Sequence, residues 1–209
     1  MTTEKKIAAE LLNIKAVFLS PNDPFTWASG IKSPIYCDNR LILTAPAARK
    51  VVESAIAQTV KERFPEAEVL MGTSTAGIAH AAIAADILDM PMGYVRGSAK
   101  DHGRGNRIEG RLEQGAKVVV IEDLISTGGS SLKAVQAIRN NGCEVIGMVA
   151  SYTYGFDVAE KAFKEADVEL ITLTNYEAVL EVAQETGYIT EEDLPLLNEW
   201  RRDPSHWNV

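Results

Sequence analysis

Cysteine is scarce in this chain of 209 residues, with only Cys37 and Cys143. The two form no CxxC pair and stand beside no histidine cluster. That argues against a thiolate metal site or a disulfide framework and suits a reducing compartment. Long apolar runs are also missing, and none approaches the ~18 residues that span a bilayer. The first ten residues carry Glu4, Lys5, Lys6 and Glu10, so they hold no signal-peptide core, and a cytoplasmic location is expected. Positive charge is in short supply: 21 Lys and Arg against 29 Asp and Glu give a net charge of −8. That balance speaks against non-specific nucleic-acid binding, which needs a basic face, but leaves room for a local basic pocket. No GxxxxGK[ST] phosphate loop occurs, and no GxGxxG follows the first strand. Internal repeats, low-complexity tracts and linkers are absent as well.

What remains is an ordinary globular composition, 46% hydrophobic and 24% charged, long enough for one domain over 1–209. Residues 3–16 read as a helix with Ile7, Leu11, Leu12 and Ile14 on its apolar side and Thr2 or Thr3 as its cap. Residues 17–37 intersperse Phe18, Phe25, Trp27, Ile31, Ile35 and Tyr36 with prolines and Gly30, the pattern of short irregular strands and turns. Such a segment suits a cap over a neighbouring sheet. Pro46 opens a helix that runs to Arg63. Strands are then expected over 68–71, 91–95, 118–121, 144–150 and 168–173. Helices are expected over 78–88, 132–140, 157–166, 175–184 and 195–201. This alternation predicts an α/β fold with a mostly parallel sheet flanked by helices.

The stretch from Val118 to Ser131 carries the most chemistry. Four apolar residues end in Glu122 and Asp123, followed by Leu124, Ile125, Ser126, Thr127, Gly128, Gly129 and Ser130. A buried strand, a polar strand end, a small loop and a helix N-terminus make a ligand site in an open parallel sheet. The loop and helix dipole favour an anion, while two carboxylates would repel one. A ligand with a phosphate for the loop and neutral hydroxyls for the carboxylates satisfies both, and a ribose 5-phosphate is such a ligand.

Residues 96–115 break the pattern, and 96–111 hold four glycines and five basic residues. A loop this long within a domain is commonly functional or disordered. Lys100 and His102, two residues apart, face one ligand if the segment is extended, and with Arg96 they would neutralise a pyrophosphate. Glycines permit closure over a site. The segment Gly72 to Gly77 reads equally as a plain turn or as a second anion cradle. Phe25, Trp27 and Tyr36 suit packing, or stacking on a flat base.

These residues together resemble the type I phosphoribosyltransferases. Val118 to Ser131 is similar to the family's phosphoribosyl-diphosphate (PRPP) motif. The stretch from Arg96 to Gly103 resembles the mobile catalytic loop of its orotate-using branch, and Phe25 to Tyr36 the substrate-side segment of that branch. The resemblance implies Mg2+-dependent transfer of ribose 5-phosphate from PRPP to orotate, giving orotidine 5′-phosphate and pyrophosphate in pyrimidine biosynthesis. It implies a hood from about 1–40 and the C-terminal segment, and a homodimer with shared active sites. By position, Glu122 and Asp123 bind the ribose hydroxyls, and Leu124 to Ser130 wrap the 5-phosphate. Arg96, Lys100 and His102 hold the pyrophosphate, with Gly72 to Gly77 as a further pyrophosphate loop. Ser126 and Tyr36 contact orotate, and Lys100, His102 and Asp123 serve catalysis. Mg2+ is expected through substrate oxygens, so no cluster of protein ligands is required. Ala28, Ala76 and Gly97 depart from the pattern, standing where many relatives carry lysine. Two other functions stay open: transfer to a different base such as a purine, and a nucleotide-sensing regulator on the same fold. The acidic charge and the presence of both Lys100 and His102 count against the regulator.

Overall fold

The computed structural model describes residues 1–26, 30–97 and 107–207. Helix α1 (Thr3–Asn13) begins where the Thr2 hydroxyl accepts the Lys5 N–H, which satisfies one of the unpaired donors of a first turn. It stops at Asn13 rather than at 16, because Lys15 turns to a φ of 59°. The strands β1 (Val17–Leu19), β2 (Phe25–Thr26), β3 (Lys32–Ser33) and β4 (Ile35–Cys37) follow. They pair antiparallel as β1 with β4 and β2 with β3. The irregular character expected of this region is present.

Helix α2 (Pro46–Arg63) has the expected bounds, with proline at its first position. Strand β5 (Val69–Thr73), helix α3 (Ala76–Leu88) and strand β6 (Met92–Val95) come next. A two-residue strand, β7 (Ile108–Glu109), then pairs antiparallel with β6. It sits inside the segment expected to be wholly loop, because Ile108 supplies a buried anchor there. Strand β8 (Lys117–Ile125), helix α4 (Gly129–Asn140), strand β9 (Glu144–Thr153), helix α5 (Asp157–Glu165), strand β10 (Leu170–Asn175), helix α6 (Tyr176–Glu185) and helix α7 (Leu194–Arg202) complete the order.

Two compact units divide the chain, one of residues 1–49 and 174–209, the other of 50–173. In the first, Tyr176 and Trp200 are fully buried with ring centroids 5.7 Å apart. The Tyr176 hydroxyl donates to the Leu197 carbonyl at 2.9 Å, and the Trp200 indole N–H to that of Lys32 at 3.2 Å. Both polar tips are thus satisfied where burial would otherwise penalise them. Lys5 bridges Glu181 and Glu185, tying α1 to α6.

The second unit carries the sheet, in the order β10-β9-β8-β5-β6-β7. Strand β5 runs parallel to both β6 and β8, and β8 runs parallel to β9. The chain leaves β5 toward β6 on one side and returns through β8 on the other. The crevice at the carboxyl ends of β5 and β8 is therefore a topological switch point. Val69 and Met71 on β5 and Val118 and Val120 on β8 share one buried face with Val135 and Ile138 of α4 and Phe163 of α5. Val119 and Ile121 are fully buried as well and point to the other face.

Candidate active site

The alternation that buries Val118 and Val120 continues to Glu122. On β5 the same face runs Val69, Met71, Thr73, and the register sets Met71 beside Val120 and Gly72 beside Ile121. Thr73 and Glu122 therefore come together at the strand ends. The Thr73 hydroxyl donates to Glu122 Oε1 at 2.6 Å, and the Ser131 hydroxyl, in the first turn of α4, donates to Oε2 at 2.7 Å. The Asp123 N–H adds a third bond to Oε1 at 3.0 Å. Glu122 is 7% exposed. Burial first, and the adjacent Asp123 carboxyl second, push its carboxyl up to about 7, against the pull of the Thr73 and Ser131 hydroxyls.

The carboxylates do not end the strand, as their polarity suggested. Strand β8 runs on to Ile125, because Leu124 and Ile125 stay in register with Tyr152 and Thr153 of β9. Ile125 is fully buried, and its carbonyl accepts the Tyr154 N–H and the Thr153 hydroxyl. The turn is thus only Ser126, Thr127 and Gly128, and α4 begins at Gly129 rather than at 132. Gly128 caps the helix at a φ of +79°, a conformation that needs glycine. A Cβ there would also meet the Phe163 ring at 2.7 Å. Thr127, Gly129 and Ser130 are exposed, so the helix N-terminus opens to solvent and suits a phosphate group.

The second loop, at the end of β5, is equally tight. Gly77 lies in the first turn of α3, where a Cβ would stand 2.5 Å from the Ile121 carbonyl oxygen and 2.5 Å from the Thr73 hydroxyl. Only glycine lets α3 reach the strand ends this closely. The Ser74–Thr75 peptide bond is cis, and the Ser74 hydroxyl donates to the Val95 carbonyl at 2.7 Å. Arg96 follows directly at the end of β6, 3.8 Å from Glu109. Glu122, Asp123, Ser126 to Ser130, Thr73 and Ser74, and Arg96 thus lie at the carboxyl ends of β8, β5 and β6.

Tyr36 belongs to the first unit, where it is partly exposed with its ring centroid 5.8 Å from that of Phe25. Lys100 and His102, like Trp27 and Ala28, lie outside the described residues. Thr73 and Ser131 as partners of Glu122 were not singled out from the sequence, although the period-2 pattern of two adjacent strands carries that signal. The donor set at the strand ends is oxygen from carboxylates and hydroxyls, which fits a hard cation such as Mg2+. Among the described residues no three His, Cys, Asp or Glu side chains converge as a metal cage.

A sheet crevice with a hydroxyl-ringed carboxylate beside an open helix N-terminus, and a second glycine loop next to it, defines the phosphoribosyltransferase class. In agreement, residues 39–185 match the family model described as the phosphoribosyl transferase domain. Orotate phosphoribosyltransferase of Bacteroides fragilis is 61% identical over 99% of this chain and 97% of its own length. That of Listeria innocua is 57% identical over 99% of both. The crystal structure of orotate phosphoribosyltransferase from Aeropyrum pernix superposes with a TM-score of 0.76 at 26% identity, covering 88% of this chain and 99% of that one. The chain belongs to the orotate phosphoribosyltransferase family. No helix among the described residues is long and apolar enough to cross a membrane.

Proposed function

We propose that this protein transfers ribose 5-phosphate from PRPP to orotate, forming orotidine 5′-phosphate and pyrophosphate for pyrimidine biosynthesis. The observation that carries this reading is near-full-length similarity, at 61% identity, to an orotate phosphoribosyltransferase. The geometry suits the reaction. The open N-terminus of α4, with Ser126 to Ser130, receives the 5-phosphate. Glu122 and Asp123 lie toward the ribose hydroxyls, where positive charge develops on the sugar as pyrophosphate leaves. Glu122, held by Thr73 and Ser131, is fixed before substrate arrives, so no reorganisation is needed during the reaction.

Arg96, with Lys100 and His102, takes the pyrophosphate side, together with backbone N–H groups of the loop from Gly72 to Gly77. Ser126 and Tyr36 serve the orotate side. Orotate supplies its own nitrogen nucleophile, so no covalent enzyme intermediate is needed. Bound Mg2+ supplies charge neutralisation on the leaving pyrophosphate. A cytoplasmic homodimer, with the loop of one subunit completing its partner's site, fits the family. The test is ultraviolet loss of orotate in the presence of PRPP and Mg2+, repeated with adenine, hypoxanthine and uracil as acceptors. Turnover confined to orotate is expected. Turnover of a purine, or PRPP binding with no product, would replace this reading with another transferase or a regulator.

A further inference from the structure

Arg107 has no part in the reading above, yet its guanidinium bonds two successive backbone carbonyls at the edge of the site. Its Nε donates to the Arg96 carbonyl at 2.8 Å and its Nη2 to the Gly97 carbonyl at 3.0 Å. The backbone closes the same junction, with the Arg96 N–H donating to the Arg107 carbonyl at 2.8 Å. Beyond it, Val95 pairs with Ile108 and Tyr94 with Glu109. The Arg96 Nη1 is buried with no hydrogen-bond partner among the described residues and stands 3.8 Å from Glu109.

We propose that Arg107 is a positioning residue for the pyrophosphate side of the site. By gripping two successive carbonyls it fixes the backbone at Arg96 and Gly97, and so the direction in which the Arg96 side chain leaves β6. The chemistry requires arginine. A planar fork with several N–H donors reaches two carbonyls at once, whereas an ammonium group acts as a point donor on a flexible stem. A carbonyl pair fixed in this way lets Arg96 meet an incoming anion without first ordering its own backbone, which lowers the cost of binding. This inference rests on the proposed function, because it assigns Arg96 to the pyrophosphate of PRPP.

The experiment is steady-state kinetics of the full chain with Mg2+, varying PRPP and orotate separately. The variants are Arg96→Ala, Arg107→Ala, Arg107→Lys and the double variant Arg96→Ala/Arg107→Ala. Arg107→Ala is expected to raise KM for PRPP about tenfold, the scale of one lost charge-assisted hydrogen bond. KM for orotate should stay within about twofold, a split that a general loss of fold would not produce. Arg107→Lys should recover less than half of the effect on a logarithmic scale. The double variant should bind PRPP about as poorly as Arg96→Ala alone, because the two residues act as one unit. If Arg107→Ala unfolds, Arg107→Lys decides, with a rise in KM for PRPP of at least about threefold required.

Parental KM for PRPP in the Arg107 variants, alongside a raised value for Arg96→Ala, overturns the positioning role alone. So does a double variant whose loss is the product of the two single losses. An unchanged KM for PRPP in Arg96→Ala instead removes Arg96 from the pyrophosphate side and overturns the reading beneath it.

Discussion

The Ser131 hydroxyl donates to Glu122 Oε2 at 2.7 Å and thereby fastens the first turn of α4 to the end of β8. The Thr73 hydroxyl does the same from β5 through Oε1. One buried carboxyl thus joins both loops of the site. Its position has a consequence for pH. The folded Glu122 carboxyl titrates at about 7, against an ordinary value of 4.5. Between those values the folded chain holds a proton that the unfolded chain has released. The contribution to stability is therefore full below the ordinary value and is lost as pH rises through about 7. Urea unfolding at about pH 5 and about pH 8 should show this slope in the parent and lose it in Glu122→Gln. Equal slopes in the two proteins would remove Glu122 as the titrating group.

Gly77 tests the close approach of α3. A methyl group there meets the Ile121 carbonyl oxygen at 2.5 Å, and a backbone carbonyl has little room to yield. Gly77→Ala is expected to cost about 1–3 kcal/mol of stability, the range for overpacking, and to weaken PRPP binding because the loop from Gly72 is displaced. Calorimetric titration with PRPP and denaturant unfolding measure the two effects. Unchanged values in both would mean that the helix adapts without cost.

A second buried pair lies apart from the chemistry. His80 Nδ1 on α3 lies 2.6 Å from Glu53 Oε1 on α2, with both side chains almost wholly inaccessible. Glu53 Oε2 and His80 Nε2 have no hydrogen-bond partner among the described residues. Removing either residue leaves the other buried and unpaired, so Glu53→Ala and His80→Ala should each cost on the order of 3 kcal/mol. Replacing both together, as Glu53→Leu with His80→Phe, should recover much of that loss. In the matching cycle of Glu53→Leu, His80→Phe and the two together, a double variant whose loss equals the sum of those two singles would show that the pair is not coupled.

Lys100→Ala is expected to lower kcat by at least ~100-fold, the scale for losing a preorganised charge contact in the transition state. Stopped-time assays of orotidine 5′-phosphate formation at saturating PRPP measure this directly. Near-parental turnover would place the leaving-group charge elsewhere.

Much of the fold was legible because its signals are local. Pro46 opens α2 where proline fits a first turn, and Val118 to Ile121 are as buried as an unbroken apolar run implies. The larger failures come from pairing between distant segments, whereas the early end of α1 is local and set by the left-handed φ of Lys15. Leu124 and Ile125 looked like loop because two carboxylates precede them, yet β9 holds them in the sheet. Ile108 looked isolated among charges, yet pairing with Val95 makes it a strand. The same holds in the site. Glu122 and Asp123 announce themselves as carboxylates at a strand end, whereas the partnership of Glu122 with Thr73 depends on a register 49 residues away in sequence. Arg107 was one of five basic residues in its segment, and its bonds to the Arg96 and Gly97 carbonyls are not legible in the sequence.

The central claim is that PRPP lies across the carboxyl ends of β8 and β5, with its 5-phosphate on the N-terminus of α4. A crystal structure with PRPP, Mg2+ and orotate measures this most directly. The expected result is the 5-phosphate within hydrogen-bond distance of backbone N–H groups from Ser126 to Ser130. The pyrophosphate should then lie between Arg96 and the loop from Gly72 to Gly77. A 5-phosphate bound at Gly72 to Gly77 instead, or a sugar remote from Glu122 and Asp123, would contradict it.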